Sequence, residues 1–177
     1  MKRLVPISAM ALAALLWASS ASALSYSISA SLDGAQETPP VATPGTGTMT
    51  GTYDDATNFL TWSGTFSGLV GATTAAHFHG PAAVGVGPAA ILVSMMVGDI
   101  FPVGVMAGAF SGDATLSALD ETRLLAGLLY ANIHSTFRTG GEIRGQVYAT
   151  LLPEPTTLGL LALGLAGLAL ASRRRSA

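Results

Sequence analysis

Two apolar stretches confine the folding problem to the middle of this chain. Leu4 to Trp17 is almost uninterrupted in apolar character, preceded by Met1-Lys2-Arg3 and followed by small residues that lead to Ala21-Ser22-Ala23. A basic start, a short apolar run and an A-x-A site form the pattern that a signal peptidase reads, so residues 1–23 are expected to be a signal peptide cleaved after Ala23. At the other end Leu158 to Ala171 consists wholly of Leu, Ala and Gly, and Arg173-Arg174-Arg175 follow. Thr156 to Ser172 is 17 residues, roughly 25 Å of helix, the short end of what spans a bilayer. Such a helix has no polar face to turn to water, so packing on the domain would leave apolar surface exposed, and a transmembrane helix is expected. The arginines should stay on the cytoplasmic side and hold the domain outside.

What must fold in water is therefore Leu24 to Leu152, 129 residues, the size of one domain with a real core. Its cations are Arg123, Arg138 and Arg144. Its carboxylates are Asp33, Glu37, Asp54, Asp55, Asp99, Asp113, Asp120, Glu121 and Glu142, so three positive charges against nine negative give a net charge of −6. A nucleic-acid partner needs clustered Lys and Arg and is excluded on this balance. Divalent cations, or neutral and cationic polymers, suit it better. There is no cysteine, so the domain must be held by its core or by a metal rather than by disulfides.

The patterning of this middle part has a period of two. Tyr26, Ile28, Ala30 and Leu32 alternate with polar residues, and Leu60, Trp62, Gly64 and Phe66 share a face of another stretch, Phe59 to Phe66. Thr48 to Tyr53 precedes it across Asp54-Asp55-Ala56-Thr57-Asn58, turn chemistry between two strands. Ala75 to His79, Ala90 to Val97, Met106 to Phe110, Leu129 to His134 and Ile143 to Leu151 are further strand candidates. Gln36 to Gly47, rich in Pro, Gly and Thr, reads as a loop or an edge segment. One helix is expected over Asp120 to Leu128 with Asp120 as N-cap. Seven or more short strands with Gly-rich turns make the expected fold all-β: an antiparallel β-sandwich with one short helix.

Few residues in this domain can do chemistry. All three histidines of the chain lie in it, at 77, 79 and 134. On a strand His77 and His79 point to one face, and His134 shares its face with Tyr130 and Asn132. Were the two strands neighbours, three imidazoles would converge into a ligand set suited to copper or zinc, with Glu37 or Glu142 as additional ligands. Imidazole must be neutral to ligate, so metal affinity is expected to fall below its unperturbed pKa of about 6.5. The competing reading is three histidines hydrogen-bonded to backbone. Glu142 and Arg144 sit two residues apart, which predicts an ion pair at the rim. No nucleophile elbow, phosphate-binding glycine loop or cysteine nucleophile is present, and no catalytic residue is assigned.

Pro153-Glu154-Pro155, the apolar segment and Arg173, Arg174 and Arg175, in that order, resemble the PEP-CTERM sorting signal of Gram-negative bacteria. The resemblance implies recognition by an exosortase, removal of the tail, and delivery to the outer surface or extracellular matrix after transient anchoring in the inner membrane. Leu32-Asp33-Gly34-Ala35-Gln36-Glu37-Thr38-Pro39-Pro40, Ala75-Ala76-His77-Phe78-His79-Gly80-Pro81, Tyr130-Ala131-Asn132-Ile133-His134 and Gly141-Glu142-Ile143-Arg144-Gly145-Gln146 are similar to the successive motifs of the CHRD domain, over about Tyr26 to Thr150. That resemblance implies that the three histidines belong to the family pattern and names no reaction.

Two functional readings stand. One is a non-enzymatic surface module that binds extracellular polysaccharide or matrix proteins in a biofilm. The other is a copper- or zinc-binding protein with a three-His site on a superoxide-dismutase-like sandwich.

Overall fold

The computed structural model describes residues 24–95, 100–153, 159, 161 and 163–168. The expected signal peptide, and the sorting residues Glu154, Pro155 and Arg173 to Arg175, lie outside them; Pro153 is described and exposed. Residues 159, 161 and 163–168 are helical and exposed. Among the described residues no helix is long and apolar enough to cross a membrane.

Among the described residues the alternation of the middle part produces nine strands: β1 (Ser25–Asp33), β2 (Thr46–Asp54), β3 (Phe59–Ser67), β4 (Thr73–His79), β5 (Ile91–Ser94), β6 (Gly108–Thr115), β7 (Tyr130–Ser135), β8 (Ile143–Gln146) and β9 (Tyr148–Leu151). They pair in the order β5-β4-β7-β8-β1-β2-β3-β6, with β9 also on β1, and every pairing is antiparallel. The path folds over on itself. Trp62 of β3 meets Phe78 of β4 edge-on, with ring centroids 4.9 Å apart, although the two strands stand far apart in the pairing order. This is the expected antiparallel sandwich, and it is nearly closed. Segment 100–107 spans its two open edges: the Ile100 N–H donates to the Ser111 carbonyl on β6 at 2.9 Å, and the Thr73 N–H of β4 donates to the Val105 carbonyl at 2.8 Å.

The core lies between the layers. Ile28 and Leu32 of β1, Leu60, Trp62 and Phe66 of β3, Phe78 of β4 and Ile133 of β7 are all buried in it; those of β1 and β3 are alternate residues that the sequence pattern selected.

The boundaries differ from expectation in places with a physical reason. β6 runs on to Thr115 because it pairs along nearly all of β3, from Phe59–Thr115 to Phe66–Gly108. The expected single strand Ile143 to Leu151 breaks at Val147, where the chain leaves β7 and joins β1. The helix α1 spans Ala118–Leu125, and its N-cap is Ser117 rather than Asp120. The Ser117 hydroxyl accepts the Asp120 N–H at 3.1 Å, which leaves Asp120 inside the first turn, where an acid favours the helix dipole.

Candidate metal centre

Antiparallel register stacks directly opposed residues on one face of a sheet. His77 of β4 lies opposite Asn132 of β7, which lies opposite Arg144 of β8; His79 lies opposite Tyr130, which lies opposite Gln146; His134 lies opposite Ala75. The intervening residues Ala76, Phe78, Ile133 and Ile143 face the core. The sheet β4-β7-β8 is thus apolar inward and polar outward, and the outward face is itself covered. Asn132, Arg144 and Gln146 are almost fully buried.

The three histidines converge on this face. One ring nitrogen from each lies within 4.8 Å of one from each of the others, and His77 Nδ1 is 3.0 Å from His134 Nε2. A tetrahedral ion bound at 2.0–2.1 Å needs nitrogens about 3.3 Å apart, so this pair is already near ligating distance. Backbone carbonyls fix two of the rings. His79 Nδ1 donates to the Ala89 carbonyl at 2.9 Å, and His134 Nδ1 donates to the Thr139 carbonyl at 2.8 Å. Each bond places the hydrogen on Nδ1 and leaves Nε2 as a lone pair, the outer-shell device that orients metal-ligating histidines. His134 Nε2 takes the Nδ1 hydrogen of His77, and on ligation His77 would carry its hydrogen on Nε2 instead. His79 Nε2 is buried and has no hydrogen-bond partner.

Electrostatics favour the neutral rings. Burial, and then the neighbouring histidines, push His77 down to about 4. Burial also lowers His79, against the pull of the Ala89 carbonyl. The expectation that protons compete from about pH 6.5 is corrected for these two rings, which hold their lone pairs in more acid solution. The surroundings are rich in acceptors: of the buried side-chain atoms without a partner among the described residues, His79 Nε2, Asn132 Oδ1 and Gln146 Oε1 are acceptors at this face. A polar layer short of donors suits a cation.

The two carboxylates stand elsewhere. Neither Glu37 nor Glu142 is grouped with the three rings. Glu37 is buried beneath Gly141, whose φ of 129° and lack of a side chain permit the approach, since a Cβ there would stand 2.3 Å from Glu37 Oε1. Burial, opposed by Arg144, pushes its pKa up to about 7. Glu142 accepts hydrogen bonds from the Thr43 hydroxyl, the Val70 and Gly71 N–H groups and the Ser135 hydroxyl. Burial acts to raise its pKa, but these donors together hold it below the usual carboxylate range. It ties three loops together, and its lone pairs are occupied.

The expected Glu142–Arg144 rim pair is not formed. The ion pair found among the described residues is Arg123–Asp120 at 2.7 Å, and Arg144, 2 % exposed, is no rim residue. Its guanidinium lies over the Tyr130 ring, 3.5 Å from the centroid, and donates to the Val86 carbonyl at 2.8 Å. Its signal in the sequence was the alternation Ile143-Arg144-Gly145-Gln146 opposite Tyr130-Ala131-Asn132-Ile133-His134, polar every second residue in both stretches.

Comparison with known families places this geometry in context. The model of the CHRD domain matches residues 28–147, and that of the PEP-CTERM protein-sorting motif matches residues 152–175. No curated protein and no solved structure matches the chain. A PEP-CTERM motif marks a chain for export and cell-surface sorting in Gram-negative bacteria, with a membrane-anchored C-terminus that an exosortase processes.

Proposed function

The chain belongs to the CHRD domain family, and from that premise we propose that its exported domain is a surface-sorted binding module holding one transition-metal ion, copper or zinc, on His77, His79 and His134. The observation that carries this reading is the convergence of three ring nitrogens within 4.8 Å, with two of the rings pinned through Nδ1 to backbone carbonyls. A histidine held only for structure has no need of a second, buried and unpartnered nitrogen. With Glu142 engaged and Glu37 outside the group, the fourth position is left to water or to an external ligand, the arrangement of reactive rather than purely structural sites. The net charge of −6 on residues 24–152 draws cations toward the domain.

The test is calorimetric titration of the exported protein with Cu²⁺ and Zn²⁺ near neutral pH. One equivalent should bind, and His77→Ala, His79→Ala or His134→Ala should each weaken it at least ten-fold. Binding that survives loss of two of these histidines would return all three to structural roles.

A second reading is favoured by the sorting motif: a non-enzymatic matrix module that engages extracellular polysaccharide or matrix proteins. On that reading any bound metal is structural, and His→Ala changes should lower the melting temperature as much as they weaken metal binding.

A further inference from the structure

The segment from Pro81 to Ala90 contains only Pro, Ala, Val and Gly. It has no polar side chain with which to hold its own shape, yet it supplies the carbonyl that orients His79. Its backbone is held instead by side chains from the polar sheet face. Gln146 Nε2 donates to the Ala82 carbonyl at 2.9 Å. Arg144 Nη2 donates to Val86 O at 2.8 Å and reaches Ala83 O at 3.4 Å. The Ala89 N–H donates to the Tyr130 hydroxyl at 3.2 Å, next to the Ala89 carbonyl that receives His79 Nδ1. Arg144 Nη1 lies 2.8 Å from where a Cβ on Gly87 would stand, so the loop crosses directly over the guanidinium.

A second line of contact joins the same residues. The His79 and Tyr130 rings are stacked, 5.0 Å between centroids and 7° from parallel. The Arg144 guanidinium lies over Tyr130 at 3.5 Å from its centroid. Two planar groups this close cannot share one face of the phenol without overlapping, so Tyr130 is sandwiched between Arg144 and His79.

We infer that Arg144 is a positioning residue of the metal centre: acting through Tyr130 and through the 81–90 loop, it fixes the plane and tautomer of His79. It touches no metal ligand directly in this role. The work requires the planar fork of arginine, which stacks and bonds two carbonyls at once; a lysine would carry the charge and lose both geometries. The inference rests on the three-histidine reading for its consequence and on the contacts above for its geometry, and the two are tested apart.

The experiment compares wild type, Arg144→Lys and Tyr130→Leu as full exported protein, checking fold by circular dichroism and thermal melting. In metal-free protein, ¹⁵N-imidazole NMR should show His79 as the Nδ1–H tautomer in wild type and as a mixture of tautomers in both variants. With Cu²⁺ added, both variants should bind about 10–100-fold more weakly and give an altered electron paramagnetic resonance spectrum, a change that destabilisation alone would not produce. Should Arg144→Lys fail to fold, Tyr130→Leu carries the test, because it removes the middle of the stack and leaves the arginine in place. A His79 tautomer unchanged in the folded variants, or absent from wild type, overturns the inference whether or not metal binds. A wild-type protein that shows the tautomer and binds no metal overturns the functional reading alone.

Discussion

Glu37, buried, and His77, half-buried, are two groups whose protonation acts on stability in opposite directions. His77 titrates near 4 in the folded chain against 6.5 unfolded, so between those values the unfolded state holds more protons and stability falls as pH drops from 6.5 toward 4. Glu37 titrates near 7 against 4.5; the folded state holds the extra proton, and stability falls as pH rises from 4.5 to 7. Glu37→Gln should therefore stabilise the metal-free protein at pH 7.5, by on the order of 3 kcal/mol at most, and leave pH 4.5 nearly unchanged. Melting temperatures in chelator at the two pH values check this, and an equal shift at both would refute the assignment. At this scale the histidines were legible because alternation alone puts His77 and His79 on one face. The exclusion of the carboxylates was not: Glu37 and Glu142 reach their places through loops, where no period fixes direction.

At the scale of elements, α1 shows how one hydroxyl sets a boundary. Ser117 accepts the Asp120 N–H and in turn donates to its carboxylate at 2.7 Å. Ser117→Ala should cost about 0.5–2 kcal/mol, as N-cap losses do, while Asp120→Ala should cost less; equal effects in denaturant unfolding would restore Asp120 as the cap. Strand identities were readable from period-two patterning, since each inward residue must find the core. The pairing order was not, because β4 meets β7 and β8 meets β1 across long stretches of chain and nothing local encodes such partners. The 81–90 loop was opaque for a further reason: it has no side-chain chemistry, and its order resides in carbonyls answered by Arg144, Gln146 and His79.

On the scale of the whole molecule, the domain is closed by its core without a disulfide, and a PEP-CTERM protein-sorting motif follows it over residues 152–175. The described leucines beyond the domain, Leu161, Leu163, Leu165 and Leu168, are all more than half exposed to solvent. Processing in a host that carries an exosortase should give a mature chain that begins at Leu24 and lacks the segment from about Pro155 onward. Intact mass of the surface-released protein checks both cuts, and a released form that retains Arg173 to Arg175 would contradict the sorting account. The central claim, however, is that what reaches the surface carries a metal. Its most direct test is the elemental content of wild-type protein purified from the periplasm of cells grown with copper and zinc, without an affinity tag. The structure leads us to expect close to one equivalent of a single transition metal in wild type and almost none in the His77→Ala, His79→Ala double variant; metal-free wild-type protein, or equal metal in both, would contradict it.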